Sequence, residues 1–260
     1  MADARVNEHA WTREGARLTE FLQLAFLQVL PVHMTPDSYV VKGGANLRLF
    51  YHSVRRSQDI DLDFVGSAFW KIEDRVDETL ASRAFRDLLR VAGAQLTEPT
   101  KPKQTDTTRR WKFEVSGASG RLNSKVEFSA RVAGGAYAFE AATLEPGREF
   151  GLRVVKANHY APAAATLQKI HALAQRTETE PRDVFDLDLL LAGYPGAVKP
   201  GDVSGAILDG ASDAAFGISY QAYEELVLDY LEDEFVPIYR RPEVWDNMVT
   251  RVVETLERLK

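Results

Sequence analysis

The 260-residue sequence predicts an α/β (α+β) fold, with a strand-bearing part over residues 1–160 followed by a helical part over 161–260. Three observations lead there. Apolar residues recur at helical spacing near the start of the chain. The runs DIDLDF (59–64), WKFEVSG (111–117) and SKVEFSAR (124–131) alternate polar with apolar, as half-buried strands do. Beyond Pro162 the apolar periodicity is helical throughout, so the seam falls near residues 158–162.

In order along the chain, Leu18, Phe21, Leu22, Ala25, Phe26, Val29 and Leu30 mark an amphipathic helix that Pro31 should end. The short apolar run Tyr39–Lys42 reads as a strand stopping at Gly43-Gly44, with a short helix from Asn46 to Tyr51 after it. DIDLDF is the next strand. Residues 72–92 read as one helix on the apolar positions Val76, Leu80, Phe85, Leu88 and Leu89, and the two alternating runs follow as strands. The remaining segments, 161–176, 181–194, 218–235 and 242–259, read as helices, with Pro162, Pro181 and Pro242 where a first turn tolerates proline.

Composition removes several classes of chemistry. There are no cysteines, which excludes disulfide frameworks, thiolate zinc sites and cysteine nucleophiles, and fits a reducing compartment. His9, His33, His52 and His159 lack metal-ligand spacing, and His171 reads as a partly buried structural residue. Neither GxSxG nor GxxxxGK[ST] occurs. The polar N-terminal stretch has no apolar signal core and no segment reaches the roughly 20 apolar residues of a membrane span, so a soluble cytoplasmic protein without membrane contact is expected.

The net charge of −6 is unevenly spread, because residues 183–260 carry 16 Asp/Glu against 6 Lys/Arg. Residues 101–131 hold eight basic residues (Lys101, Lys103, Arg109, Arg110, Lys112, Arg121, Lys125, Arg131) against Asp106, Glu114 and Glu127. Such a surface could attract a phosphate backbone or be a solvated face. Trp111 within it could stack a base or simply belong to the sheet.

The most informative stretch is VKGGANLRLFYHSVRRSQDIDLDF, residues 41–64. Side chains of a strand alternate in direction, so Asp59, Asp61 and Asp63 share one face, and Ile60, Leu62 and Phe64 the other. SKVEFSA repeats the construction, with Lys125, Glu127 and Ser129 opposite Val126, Phe128 and Ala130. Were the two strands neighbours, Asp59, Asp61 and Glu127 would converge, and clustered carboxylates call for a cation. A hard divalent ion takes one or two carboxylates plus substrate phosphates. Asp is disfavoured inside strands, so three in one strand exceed what a merely acidic sheet face needs. A strand ending in Gly-Gly before a helix offers backbone N–H groups to phosphate. Together the two elements suit phosphoryl or nucleotidyl transfer.

These residues resemble the signature of the AbiEii/AbiGii nucleotidyltransferase toxins, of the DNA polymerase β-like superfamily. Residues 39–64 resemble its Gly-Gly turn, short helix and Asp-x-Asp strand, KVEFS its later carboxylate strand, and LQKIHALAQRTETEPRDVFDLDLLL its C-terminal lysine and Arg-Asp-x-x-Asp-Leu motifs. The resemblance implies a polymerase β-like nucleotidyltransferase sheet with flanking helices in residues 1–160 and a helical C-terminal domain in 161–260. It implies Mg²⁺ (or Mn²⁺) on Asp59, Asp61 and Glu127, with Asp63 behind them. It also implies that Gly43 and Gly44 hold an NTP, that Lys169 reaches its triphosphate, and that Asp183 is catalytic, with Asp186 one helical turn on. Ala45 stands where a Ser or Thr is common, which passes phosphate contact to backbone amides, Asn46 or Arg48. By their spacing alone, Lys169 could be a solvated helix lysine and Arg182-Asp183 a first-turn pair. The implied function is a toxin of a toxin–antitoxin or phage-defence pair that adds a nucleotide to the 3′ end of tRNA and blocks translation, with a cognate antitoxin as partner. Transfer to a protein or small-molecule hydroxyl, and non-catalytic nucleotide or RNA binding, are the alternatives.

Overall fold

The computed structural model describes residues 13–117, 120–130, 135–143 and 151–260. His9 and Arg131 lie outside the described residues.

Helix α1 (Arg13–His33) carries its apolar stripe against the sheet, and Phe21, Ala25, Leu27 and Leu30 are fully buried. It runs two residues past Pro31 rather than ending there. A proline so near the C-terminus costs one backbone hydrogen bond and leaves the last turn intact. Strand β1 (Tyr39–Lys42) leads directly into α2 (Gly43–Phe50), whose first turn contains both glycines. Gly43 has φ +63°, a left-handed conformation that costs glycine little and other residues more. Strand β2 (Ile60–Phe64) follows.

The helix expected over 72–92 is two, α3 (Ile72–Ala81) and α4 (Arg83–Val91). Ser82 breaks it, extended at ψ 144° and accepting a hydrogen bond from the Phe85 amide as an N-cap does. Beyond them come β3 (Gln95–Leu96), β4 (Thr100–Gln104), β5 (Thr108–Gly117), β6 (Gly120–Ser129), β7 (Tyr137–Ala141) and β8 (Lys156–Tyr160). Strands β3, β4, β7 and β8 carry no regular alternation of polar and apolar residues, which is why periodicity did not mark them.

The sheet runs β3-β5-β6-β2-β1-β8-β7, with β4 beside β3 on the free edge of β5. The pairs β2–β6 and β1–β8 are parallel, and the rest antiparallel. One face carries Leu62, Val126, Phe128, Trp111 and Val115 into the main core beneath α1 and α4. Trp111 is a sheet residue: it is fully buried, edge-on to Phe128, and donates its indole N–H to Asp77 at 2.8 Å.

The C-terminal helices are α5 (Pro162–Gln175), α6 (Pro181–Gly193), α7 (Gly205–Gly217), α8 (Tyr220–Leu226), α9 (Val236–Tyr239) and α10 (Pro242–Arg258). They enclose a second apolar cluster around Leu208, Tyr223, Trp245 and Val252. The two clusters change over within α5, whose Ala164 and Ala165 join the first and Ile170 and Leu173 the second. His171 lies on the outer face of α5 and is exposed, not partly buried.

Candidate active site

The polar face of the sheet is ordered by strand register. Arg110 of β5 lies opposite Glu127 of β6, Glu127 beside Asp61 of β2, and Asp61 opposite Lys42 of β1, a row across four strands in which two adjacent carboxylates are flanked by a cation on each side. The expected neighbourhood of the two carboxylate strands is therefore present, and parallel pairing puts Asp61 and Glu127 side by side.

Each carboxylate has a protein cation. Lys125 Nζ lies 3.3 Å from Asp59 Oδ2 and 3.6 Å from Asp61 Oδ1. Arg110 Nε holds Glu127 Oε2 at 2.5 Å. Asp63 is buried between Lys42 Nζ at 2.5 Å and the Tyr160 hydroxyl at 2.7 Å, which ties it to the sheet. The side chains of Asp59 and Asp61 are about one-third exposed, at 31% and 33%, so this face is open to an incoming ligand. Burial and the charge of Asp61 push the Asp59 carboxyl up, against the pull of Lys125 and Arg182. The three carboxylates hold the Lys125 ammonium up against the opposing effect of burial.

The glycine turn abuts this face. A Cβ on Gly43 would lie 3.5 Å from Asp61 Oδ2, and one on Gly44 would lie 2.8 Å from the Arg55 guanidinium and 3.0 Å from Ser57 Oγ. Two other residues expected at the phosphate turn inward instead. Asn46 is buried, donating to the Tyr160 carbonyl and facing His159 Nδ1 at 3.0 Å. Arg48 is buried between Glu20 and Glu232 and donates to the Ser53 carbonyl at 2.6 Å. Both are spent on locking α2 to its surroundings, because burying such groups is tolerable only when they are paired. The Ala45 methyl also lies in the core, 1% exposed, so that position does not present its side chain to the polar face.

Lys169 and Asp183 meet at 2.9 Å, and Lys169 also reaches Asp186 Oδ2 at 2.6 Å. Asp183 further pairs with Arg176 Nε at 2.7 Å. Asp186 takes a two-pronged contact from Arg55, Nε at 3.0 Å and the terminal nitrogen at 2.9 Å. Both aspartates are fully buried, and Lys169 is nearly so. Burial alone would push Asp186 up, but Arg55 and Lys169 together hold it below the usual carboxylate range. The chain Gly44–Arg55–Asp186–Lys169–Asp183 thus joins the glycine turn to the helical region. Arg55 and Lys125 were not singled out from the sequence. Arg55 falls in the aperiodic run RRSQ, whereas the alternation around Lys125 did place it on the polar face.

The basic stretch at 101–131 is largely self-neutralised. Lys101 pairs with Glu73 and Asp77, Arg109 with Glu73, Arg121 with Glu114, and Arg110 and Lys125 with the carboxylates above. Lys103 and Lys112 enter no ion pair among the described residues.

Among the described residues no three carboxylate or imidazole groups form a ready metal cage. The donors nevertheless suit a hard divalent ion. Asp59 and Asp61 already share one cationic group, the Lys125 ammonium, and Mg²⁺ commonly takes one or two protein carboxylates and completes its shell from water and phosphate. Asp59 and Asp61 would hold the ion, with Glu127 available once it leaves Arg110.

A mixed sheet carrying an Asp-x-Asp strand beside a Gly-Gly helix start, with a carboxylate strand next to it, is an arrangement suited to nucleotidyl transfer. The model of the family "Nucleotidyl transferase AbiEii toxin, Type IV TA system" matches residues 25–255, and the chain belongs to that family. Among solved structures it is similar to JHP933 from Helicobacter pylori, at 19% identity and TM-score 0.55 with 94% of each chain covered. It is also similar to an H. pylori protein named provisionally as a nucleotidyltransferase, at 20% identity and TM-score 0.53, covering 92% of this chain and 96% of that one. No curated protein matches. No described helix is long and apolar enough to cross a membrane.

Proposed function

We propose that this nucleotidyltransferase toxin transfers a nucleoside monophosphate from an NTP to the 3′ hydroxyl of tRNA, stopping translation until a cognate antitoxin intervenes. The observation that carries the reading is the meeting of Asp59 and Asp61 with the Gly43-Gly44 helix start and Glu127 on one accessible sheet face. The bond formed joins the acceptor oxygen to the α-phosphorus, the α–β phosphoanhydride bond breaks, and pyrophosphate leaves. A divalent ion on Asp59 and Asp61 would neutralise phosphate charge and make an acceptor hydroxyl more acidic.

The chain's own contribution is placement and charge. Because Gly43 has no side chain, the triphosphate can approach the backbone of the first turn of α2 beside Asp61, while the bare Gly44 makes room for the Arg55 guanidinium. Arg182, at the start of α6, is close enough to influence Asp59; it is paired with Glu180 at 2.7 Å but half-exposed, so it can exchange that partner for phosphate. Asp183 and Asp186 hold Lys169 and Arg55 at the inner wall behind the glycine turn, fixing where positive charge stands before substrate arrives. Lys103 and Lys112, the unpaired cations of the β4–β5 surface, are the nearest fit to an acceptor backbone.

The decisive experiment incubates the protein with total tRNA, Mg²⁺ and each α-labelled NTP separately, beside Asp59→Ala. Label in the tRNA from one NTP, absent with the variant, is the expected result. Label on protein or on a small molecule would replace tRNA as acceptor, and nucleotide binding without any transfer would overturn the catalytic reading.

A further inference from the structure

On the polar face Arg110 answers one carboxylate, Glu127, and Lys42 answers one, Asp63, but Lys125 answers two. Those two, Asp59 and Asp61, are the groups assigned to the divalent ion, so an ammonium and a dication draw on the same oxygens. Resting on the nucleotidyltransferase reading, we propose that Lys125 is a resident counter-ion that yields Asp59 and Asp61 to the metal and turns to a phosphate of the arriving triphosphate. Metal and nucleotide then bind as a pair.

The surroundings of Lys125 define where it can go. Its partner across β5–β6 is Lys112, a like charge directly opposite on the same face and a destabilising arrangement unless something offsets it. Today the offset is the aspartate pair at 3.3 and 3.6 Å, with Glu127 acting on the ammonium from farther off. A dication on those aspartates would leave Lys125 between two positive neighbours with Glu127, itself held by Arg110, as the remaining carboxylate, and a further anion would relieve it. The only anions the reaction brings are phosphates. The side chain is 22% exposed, and a lysine is a point charge on a flexible stem that can re-aim without moving the strand. Arg110 behaves differently: its guanidinium lies against Glu127, which leaves Glu127 the last carboxylate to be freed.

The consequence is reciprocal coupling: nucleotide raises metal affinity by the factor by which metal raises nucleotide affinity. Free Mn²⁺ measured by electron paramagnetic resonance reads this directly, on the full chain, with and without the α,β-imido analogue of each NTP in turn. For the wild type, Mn²⁺ affinity should rise about tenfold with the preferred analogue. In Lys125→Met, or Lys125→Gln should that variant fold poorly, Mn²⁺ alone should bind about tenfold tighter than in wild type and the analogue should add little. Lys125→Arg should keep weak binding of Mn²⁺ alone. If removing the charge leaves both affinity and coupling at wild-type values, Lys125 is an ordinary ion-pair residue and the proposal is wrong. If the wild type binds no Mn²⁺ in either condition, the metal-site reading falls, and this inference with it.

Discussion

Two charged clusters of similar composition sit a few residues apart in space and differ in one respect, their access to water. On the sheet face, Asp59, Asp61 and Glu127 are partly exposed and balanced by Lys125 and Arg110. Behind the glycine turn, Asp183 and Asp186 are fully buried and balanced by Lys169, Arg55 and Arg176. An exposed pair can exchange partners at little cost, because water and salt replace what is lost. A buried pair cannot, because removing one member strands the other in a medium that does not solvate it. The first cluster can therefore exchange its cations at little cost, and the second is held as it is.

The sharpest way to break this contrast is to remove a carboxylate from each. Asp186→Asn leaves Arg55 and Lys169 facing a neutral group in the interior, and should cost about 3–5 kcal/mol of stability. Urea unfolding of the purified variant measures it. A loss under 1 kcal/mol would mean the network is hydrated and the contrast unreal. Gly44→Ala probes the seam between the clusters and should cost about 1–3 kcal/mol, since its Cβ must push the Arg55 guanidinium and Ser57 Oγ aside. Next in size is Asp61→Asn, whose stability should stay within about 1 kcal/mol of wild type while labelled transfer disappears. An inactive variant that also unfolds early would make Asp61 a structural residue.

The sequence made the exposed cluster legible and the buried one hard to read. Strand alternation projects side chains onto faces without further information, so DIDLDF and KVEFS already placed Asp59, Asp61, Lys125 and Glu127 on polar faces. Register supplied the missing step of joining the two strands. The roles offered to Asn46 and Arg48 did not survive, because a helix start fixes its backbone and leaves the partners of its side chains to the tertiary structure. Strands β7 and β8 and the break at Ser82 were hidden for a related reason. KANHY has no alternation, and a single N-capping serine inside an otherwise continuous helical pattern looks like an ordinary helix residue. Arg55 had no periodic frame at all, and only the fold shows it linking Gly44 to Asp186.

The smallest effect separates the clusters by sign. Asp186 titrates below the normal carboxylate range when folded, because Arg55 and Lys169 outweigh the penalty of burial. Its ionised form therefore stabilises the protein above the unfolded pKa of about 3.9, and that contribution drains away as pH falls through the lower folded value. Asp59 titrates above the normal range, because burial and Asp61 outweigh Lys125 and Arg182. Its contribution is fully present below about pH 3.9 and is lost as pH rises through the higher folded value. Measured against wild type by urea midpoints over the acidic range, the deficit of Asp186→Asn should shrink as pH falls. Asp59→Asn should gain on wild type as pH rises. Curves of the same sign would show that both aspartates answer to one electrostatic environment. Opposite signs would show that its cationic partners hold Asp186 ionised while burial works against the ionised form of Asp59.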